Sequence, residues 1–191
     1  MKKILIIDNY DSFTYNLVHY IEAGEVFEAD VFRSKEINSC IAENYQKIIF
    51  SPGPGLPSDY PVMFEILEKY QASKDILGVC LGHQAIASFY QAKLFNMQKV
   101  FHGKKRKVIL DGAEDEIFEG LPRQFMVGRY HSWAVNLDEA NCPLQVTSID
   151  EEGNIMSFKH QKFNIRGLQY HPESILTEYG KNIIDNWLKY Q

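Results

Sequence analysis

The sequence predicts an α/β protein: a flavodoxin-like, open, mostly parallel sheet flanked by helices, with additional antiparallel strands in the second half. Three observations carry this prediction. Up to residue 90, short apolar runs ending in polar or glycine-rich loops alternate with stretches of helical spacing, the rhythm of parallel strands joined by helical crossovers. After Gln91 the rhythm changes to short strand-like segments separated by tight turns, the pattern of antiparallel pairing. Finally, 191 residues, 45% hydrophobic and 24% charged, fit one domain spanning 1–191 with an ordinary core.

Residues 4–7 form an apolar run that ends in Asp8-Asn9, the pattern of a strand buried on both faces and opening into a loop. Asp11 and Ser12 offer N-cap oxygens to a helix over about 13–23, in which Leu17, Val18 and Ile21 keep helical spacing. Strands follow at 26–32 and 47–50, a helix at 61–70, a strand at 76–79 and a helix at 81–90. The second half reads as strands at 94–101, 105–110, 144–149, 154–159 and 163–169, with Glu152-Gly153-Asn154 as a hairpin turn signal. A last helix over about 177–190 places Ile183, Ile184, Trp187 and Leu188 on one stripe.

Charge and cysteine usage narrow the function classes. Twenty Lys plus Arg against 25 Asp plus Glu give a net charge of −5, which argues against a nucleic-acid or anionic-lipid footprint. A small molecule or another protein is the expected partner. Cys40, Cys80 and Cys142 contain no CxxC pair, so neither a disulfide framework nor a zinc site is expected. The first eight residues lack a signal-peptide core, and no apolar run approaches the ~18 residues of a membrane span. A cytoplasmic protein without a membrane segment is the expectation.

One cysteine stands out. Gly78-Val79-Cys80-Leu81-Gly82 places Cys80 at a strand-to-helix junction with glycines two residues to either side, the spacing of a nucleophile elbow. The partial positive charge of the helix N-terminus there favours thiolate over thiol. The alternative is a small buried hydrophobe, which is the reading for Cys40 and Cys142.

A cysteine nucleophile needs a base. In Gln169-Tyr170-His171-Pro172-Glu173-Ser174 the proline keeps the segment extended. Positions i and i+2 then share a side, which sets the Glu173 carboxylate beside the His171 ring and leaves the other ring nitrogen free for the sulfur. Without the elbow, His-Pro-Glu would read as a surface turn. His83 lies three residues along the helix from the elbow and is expected to pack or cap rather than face the sulfur. His131 is either a substrate-site residue or a satisfied loop histidine.

Ser51-Pro52-Gly53-Pro54-Gly55 follows the strand at 47–50, and its only amide donors between 52 and 55 are those of Gly53 and Gly55. Such a rigid loop can present one N–H to a developing oxyanion, with the second coming from Leu81. It can equally be a tight turn.

Taken together and in this order, Pro52-Gly53-Pro54-Gly55, Gly78-Val79-Cys80-Leu81-Gly82-His83-Gln84 and His171-Pro172-Glu173-Ser174 resemble the class I (triad) glutamine amidotransferases over the whole chain. The opening Asp8-Asn9-Tyr10-Asp11-Ser12-Phe13-Thr14-Tyr15-Asn16-Leu17 is similar to the branch that serves chorismate-using synthases.

The resemblance implies L-glutamine as substrate, no cofactor and no metal, a chorismate-binding synthase subunit as protein partner, and a catalytic triad of Cys80, His171 and Glu173. It further implies an oxyanion hole from Gly53 and Leu81, and glutamine contacts from Gly53, Pro54, Gly55, Gln84, Ser132 and Trp133. Trp133 departs from the leucine usual in the family, and Tyr90-Gln91-Ala92-Lys93 departs from glycines that relatives carry after the elbow helix. The latter implies a local change at the helix end with no effect on chemistry. His102, in a segment resembling a partner interface, is read as structural or interfacial.

Two alternatives remain at the level of sequence. A stand-alone γ-glutamyl hydrolase would use the same cysteine and histidine. A flavodoxin-like protein would bind FMN with residues 9–14 as its phosphate loop, although that loop has no glycine.

Overall fold

A computed structural model describes residues 1–97, 103–137 and 142–190. In chain order the elements are β1 (Lys2–Asp8), α1 (Thr14–Glu22), β2 (Phe27–Arg33), β3 (Lys47–Phe50), α2 (Pro61–Tyr70), β4 (Asp75–Val79), α3 (Leu81–Phe89), β5 (Lys93–Asn96) and β6 (Lys104–Ile109). They continue with β7 (Gln124–Arg129), β8 (Trp133–Asn136), β9 (Leu144–Asp150), β10 (Ile155–His160), β11 (Ile165–Leu168) and α4 (Gly180–Lys189).

Nine strands form one mixed sheet in the order β2-β1-β3-β4-β11-β10-β9-β6-β7, and β5 pairs antiparallel with β8. From β2 to β11 each neighbour is parallel. From β11 to β7 each neighbour is antiparallel. The α/β fold class, the parallel first half and the antiparallel additions are as the sequence predicts.

The period of two along β1 explains the two layers. Ile4 and Ile6 point into a core with Leu17 and Ile21 of α1 and Ile183, Ile184 and Trp187 of α4. Leu5 and Ile7 point to the opposite core with Met63, Ile66 and Leu67 of α2 and Ala85 and Ile86 of α3. Helices therefore cover both faces of the parallel strands, which is why those strands are apolar throughout. At the start of β3 the buried Lys47 pairs with Asp75 at 2.9 Å and donates to the carbonyls of Trp187 and Tyr190 at 3.1 and 2.6 Å. A lysine thus caps the C-terminus of α4 and ties that helix to the sheet.

Several boundaries differ from the sequence reading. Strands β7 and β8 were not foreseen, and 163–169 shrinks to the four residues of β11. The expected strand over 94–101 is seen as β5, which ends before Met97, and residues 98–101, like His102, lie outside the described residues. The final helix begins at Gly180 rather than 177, because the Ser174 and Thr177 hydroxyls hydrogen-bond nearby backbone and hold a run of turns. Asp11 does not cap α1 itself: the N-cap is Phe13, whose N–H donates to Asp11 Oδ1 at 2.7 Å.

Candidate active site

The carboxyl ends of four adjacent parallel strands converge. β1 leads to Asn9, β3 to the Gly53 loop, β4 to Cys80 and β11 to His171. This is where an open α/β sheet places ligands. Val79 is in register with Leu168, and the Cys80 N–H donates to the Leu168 carbonyl at 2.8 Å. Nucleophile candidate and base candidate therefore sit on neighbouring strands.

Cys80 adopts φ 51° and ψ −98°, a left-handed turn that a side chain rarely takes. The flanking glycines make that turn possible through close approach. A Cβ on Gly78 would lie 2.4 Å from the Gly82 backbone, and one on Gly82 would lie 2.4 Å from the Phe50 carbonyl. The elbow is thereby pressed against β3, which brings Leu81 beside the Gly53 loop: a Cβ on Gly53 would sit 2.8 Å from the Leu81 side chain and 2.5 Å from the Asn9 carbonyl. Gly53 and Leu81, the two residues expected to supply oxyanion donors, are adjacent in space. Pro54 and Gly55 are exposed next to them, and the Pro54 carbonyl accepts from the Tyr60 hydroxyl at 2.9 Å.

His171 is 2% exposed and Cys80 is 7% exposed. His171 Nδ1 and Glu173 Oε1 are 2.6 Å apart, and Glu173 is buried as well. The His171 main chain is pinned by Gly128 and Thr177, and its ring is edged by Tyr130 and Phe13 at centroid distances of 4.7 and 5.9 Å. Burial works against a charged ring, but Glu173 and the neighbouring Cys80 sulfur outweigh it and hold His171 well above the usual 6.5. Nε2 has no hydrogen-bond acceptor of its own and is the nitrogen left for proton exchange.

A second polar chain reaches the sulfur. The Gln84 amide donates to the Trp133 carbonyl at 3.0 Å and to Gln169 Oε1 at 3.2 Å, and Gln169 Nε2 lies 3.8 Å from Cys80 Sγ. The Trp133 carbonyl also contacts His131 Nδ1 at 2.7 Å, and Arg129 Nε donates to His131 Nε2 at 3.0 Å. His131 is thus a satisfied buried histidine, pushed down to about 3 by burial and then by the Arg129 charge. Ser132 lies half-buried between them, its carbonyl accepting from the Met97 N–H at 2.8 Å. Arg129 is itself buried against Asp150 at 2.5 Å.

His83 does what its position predicts: it is fully buried and stacked on Phe158 with centroids 4.4 Å apart. Cys142 is buried, whereas Cys40 is exposed on the short 3-10 helix Ser39–Asn44, so only the former is a packing cysteine. The loop after β1 is organised by its own acid. Asp8 Oδ1 accepts from the Tyr10 and Asp11 N–H groups and the Thr14 hydroxyl, so the amides an FMN phosphate would need already face a carboxylate. Among the described residues no cluster of three His, Cys, Asp or Glu is placed to hold a metal ion.

Sequence reasoning missed Gln169. The expected extended run through Glu173 is not what forms: Pro172 and Glu173 are the central residues of a turn closed by the Ser174 N–H on the His171 carbonyl at 3.2 Å, as proline at the second position of a turn favours, so His171 and Glu173 meet across that turn and no alternation points to Gln169.

A family model for class-I glutamine amidotransferase matches residues 5–190. The chain belongs to that family. The amidotransferase is 39% identical over 189 residues to aminodeoxychorismate/anthranilate synthase component 2 of Bacillus subtilis (strain 168), covering 97% of this chain and 95% of that relative. It is 40% identical over 193 residues to anthranilate synthase component 2 of Pyropia yezoensis, covering 98% and 99% of the two chains. The solved structure of a glutamine amidotransferase from Thermotoga maritima, 17% identical, superposes with a TM-score of 0.75 over 90% of this amidotransferase and 76% of that chain, a likeness of fold. No helix among the described residues of the amidotransferase is long and apolar enough to cross a membrane.

Proposed function

We propose that this amidotransferase is the cytoplasmic glutaminase subunit of a chorismate-using synthase, serving anthranilate synthase, aminodeoxychorismate synthase or both. In this reading residues 1–191 act as one domain, need no cofactor, and pass ammonia to a separate chorismate-binding chain. The observation that carries it is the strained Cys80 elbow beside a His171 ring held 2.6 Å from Glu173. Relatives named as component 2 of these synthases, matched over nearly their whole length, support the choice of partner.

The chemistry follows from the geometry. Cys80 Sγ attacks the side-chain carboxamide carbon of glutamine while His171 Nε2 holds the thiol proton, and Glu173 fixes the ring through Nδ1. The oxygen of that carbonyl gathers negative charge and is met by the N–H groups of Gly53 and Leu81, each such donor being worth ~10²- to 10³-fold in rate. Collapse breaks the C–N bond as His171 returns its proton to nitrogen, leaving ammonia and a γ-glutamyl thioester on Cys80. Water, deprotonated by His171, then cleaves the thioester to glutamate and restores the thiol. Pro54, Gly55, Ser132 and Trp133 form the surrounding glutamine contacts, with Gln84 bridging the Trp133 carbonyl to the catalytic side.

The test separates ammonia production from ammonia use. Cys80→Ser, assembled with the chorismate-binding chain, is expected to lose glutamine-dependent product formation while retaining synthesis from added ammonium salt. Unchanged glutamine-dependent synthesis in this variant would overturn the assignment, and loss of both activities would give Cys80 a folding or docking role instead.

A further inference from the structure

Hydrogen-bond direction can be followed from fixed donors and acceptors to the sulfur. The Trp133 carbonyl can only accept, so Gln84 must turn its NH₂ group toward it. The same NH₂ donates to Gln169, so the Gln169 oxygen faces Gln84. The Gln169 NH₂ is then left pointing at Cys80 Sγ, 3.8 Å away. The second hydrogen bond on the Trp133 carbonyl strengthens the arrangement. Arg129 can only donate, so His131 Nε2 accepts and its Nδ1–H donates to that carbonyl. Both glutamines are buried, Gln169 completely and Gln84 at 4% exposure; turning the Gln84 amide over would set acceptor against acceptor at both the Trp133 carbonyl and Gln169, and turning the Gln169 amide over would set its NH₂ against that of Gln84.

We propose that Gln169 is a hydrogen-bond donor to the reacting sulfur of Cys80, and that Gln84 is a positioning residue which fixes the Gln169 amide in the donating orientation. This rests on the reading of Cys80 as nucleophile. A donor aimed at sulfur favours the thiolate over the thiol, because the charged form accepts the stronger bond. It also gives Sγ a fixed polar contact besides the imidazole, which limits the bearings the sulfur can take toward an incoming carboxamide. The sulfur then has two keepers, His171 following β11 from one direction and Gln169, two residues earlier, from another.

The experiment uses the full chain in a Cys40→Ser background, Cys40 being the exposed thiol, and follows alkylation of Cys80 by mass spectrometry of its own peptide, because Cys142 is as buried as Cys80. Alkylation of Cys80 by iodoacetamide is followed from pH 5 to 9 without glutamine, and kcat and KM for glutaminase are measured in parallel with the synthase chain present. Gln169→Glu keeps the side-chain shape but replaces the donor with a carboxylate. Alkylation at neutral pH is expected to slow by about 10-fold or more, the alkylation midpoint to move to higher pH, and kcat to fall with KM changed little. Gln84→Leu, which frees the Gln169 amide to turn, should shift the midpoint in the same direction by a smaller amount.

Gln169→Leu is a second route should the glutamate variant fail to fold. A folded Gln169 variant with the parental alkylation profile and a kcat within twofold would overturn the proposal, as would a raised KM at an unchanged midpoint, which would make Gln169 a substrate contact. Failure of the underlying reading is told apart by Cys80→Ser: glutaminase activity surviving there would remove the nucleophile itself, whatever Gln169 does.

Discussion

At the scale of residues, the site concentrates strain and charge where a surrounding lattice of contacts can hold them. A non-glycine residue in the left-handed region costs about 1–3 kcal/mol. Cys80 is kept there by its N–H bond to Leu168, by the Gln84 N–H bond to its own carbonyl at 3.0 Å, and by two glycines too tightly packed to accept a Cβ. His171 depends on Glu173 in a different way. With the carboxylate in place, the ring stays protonatable well above 6.5 despite its burial, so it can still hand a proton to departing ammonia in alkaline solution. The alkaline limb of the kcat profile is therefore expected well above pH 6.5. Replacing Glu173 with Gln removes the main opposing influence and leaves burial to dominate, so the limb should move to lower pH while kcat falls. A pH–rate profile in which the limb of Glu173→Gln stays in place would disconnect the carboxylate from this role. Cys80 is legible because glycine spacing carries the geometry of the elbow, whereas His171 and Glu173 are legible as a short motif whose geometry is a turn led by Pro172 rather than the extended run expected. Gln169 was not singled out because its role depends on Gln84 and Trp133, distant in sequence and brought together only by folding.

At the scale of elements, the end of α3 shows what a sequence departure costs. The Gln91 N–H bonds the Ser88 carbonyl and the Ala92 N–H bonds the Ala87 carbonyl, both at 3.0 Å, closing the helix as a Schellman cap. The left-handed position of that cap is held by Gln91, at φ 65°, where glycine would carry no steric penalty. Gln91→Gly should therefore stabilise the protein by roughly 0.5–1 kcal/mol after the extra freedom of glycine in the unfolded chain is set against the relieved strain. That corresponds to a rise in Tm of about 2 °C, and a Tm that falls would mean Gln91 makes compensating contacts. The parallel half of the fold was legible because β1, β3 and β4 are buried on both faces and read as unbroken apolar runs. Strand β7 escaped notice because two of its buried positions are Gly128 and Arg129, the latter neutralised by Asp150. A buried ion pair supplies no apolar periodicity. The late start of α4 escaped for a related reason, since Ser174 and Thr177 spend their hydroxyls on turns rather than on a helix N-cap.

At the scale of the whole molecule, the four buried histidines among the described residues pull stability in opposite directions with pH, His160 being lowered by burial in the same sense as His83 and His131. His83, wedged against Phe158, and His131, held by Arg129 and Trp133, are both pushed down to about 3, burial being the largest cause for each. In the unfolded chain each takes up a proton near 6.5. Between pH 6.5 and 3 the unfolded state therefore binds more protons than the native state, and folding free energy falls as the solution is acidified, each histidine contributing about 1.4 kcal/mol per pH unit where the difference is one full proton. His171 has the opposite sign: its raised folded value adds stability that is complete below 6.5 and is lost as pH rises through that value. The contribution of the histidines to stability is therefore greatest near neutral pH, with its acid side set by the packing histidines and its alkaline side by His171. Urea unfolding of the parent and of His83→Leu at half-unit steps from pH 4 to 7 tests the acid side. The variant is expected to be less stable at pH 7, yet its stability should decline less steeply with acidification, by about 1.4 kcal/mol per pH unit near pH 5. Parallel curves for the two proteins would mean that His83 takes up its proton equally in the native and unfolded states and that its place against Phe158 carries no pH cost.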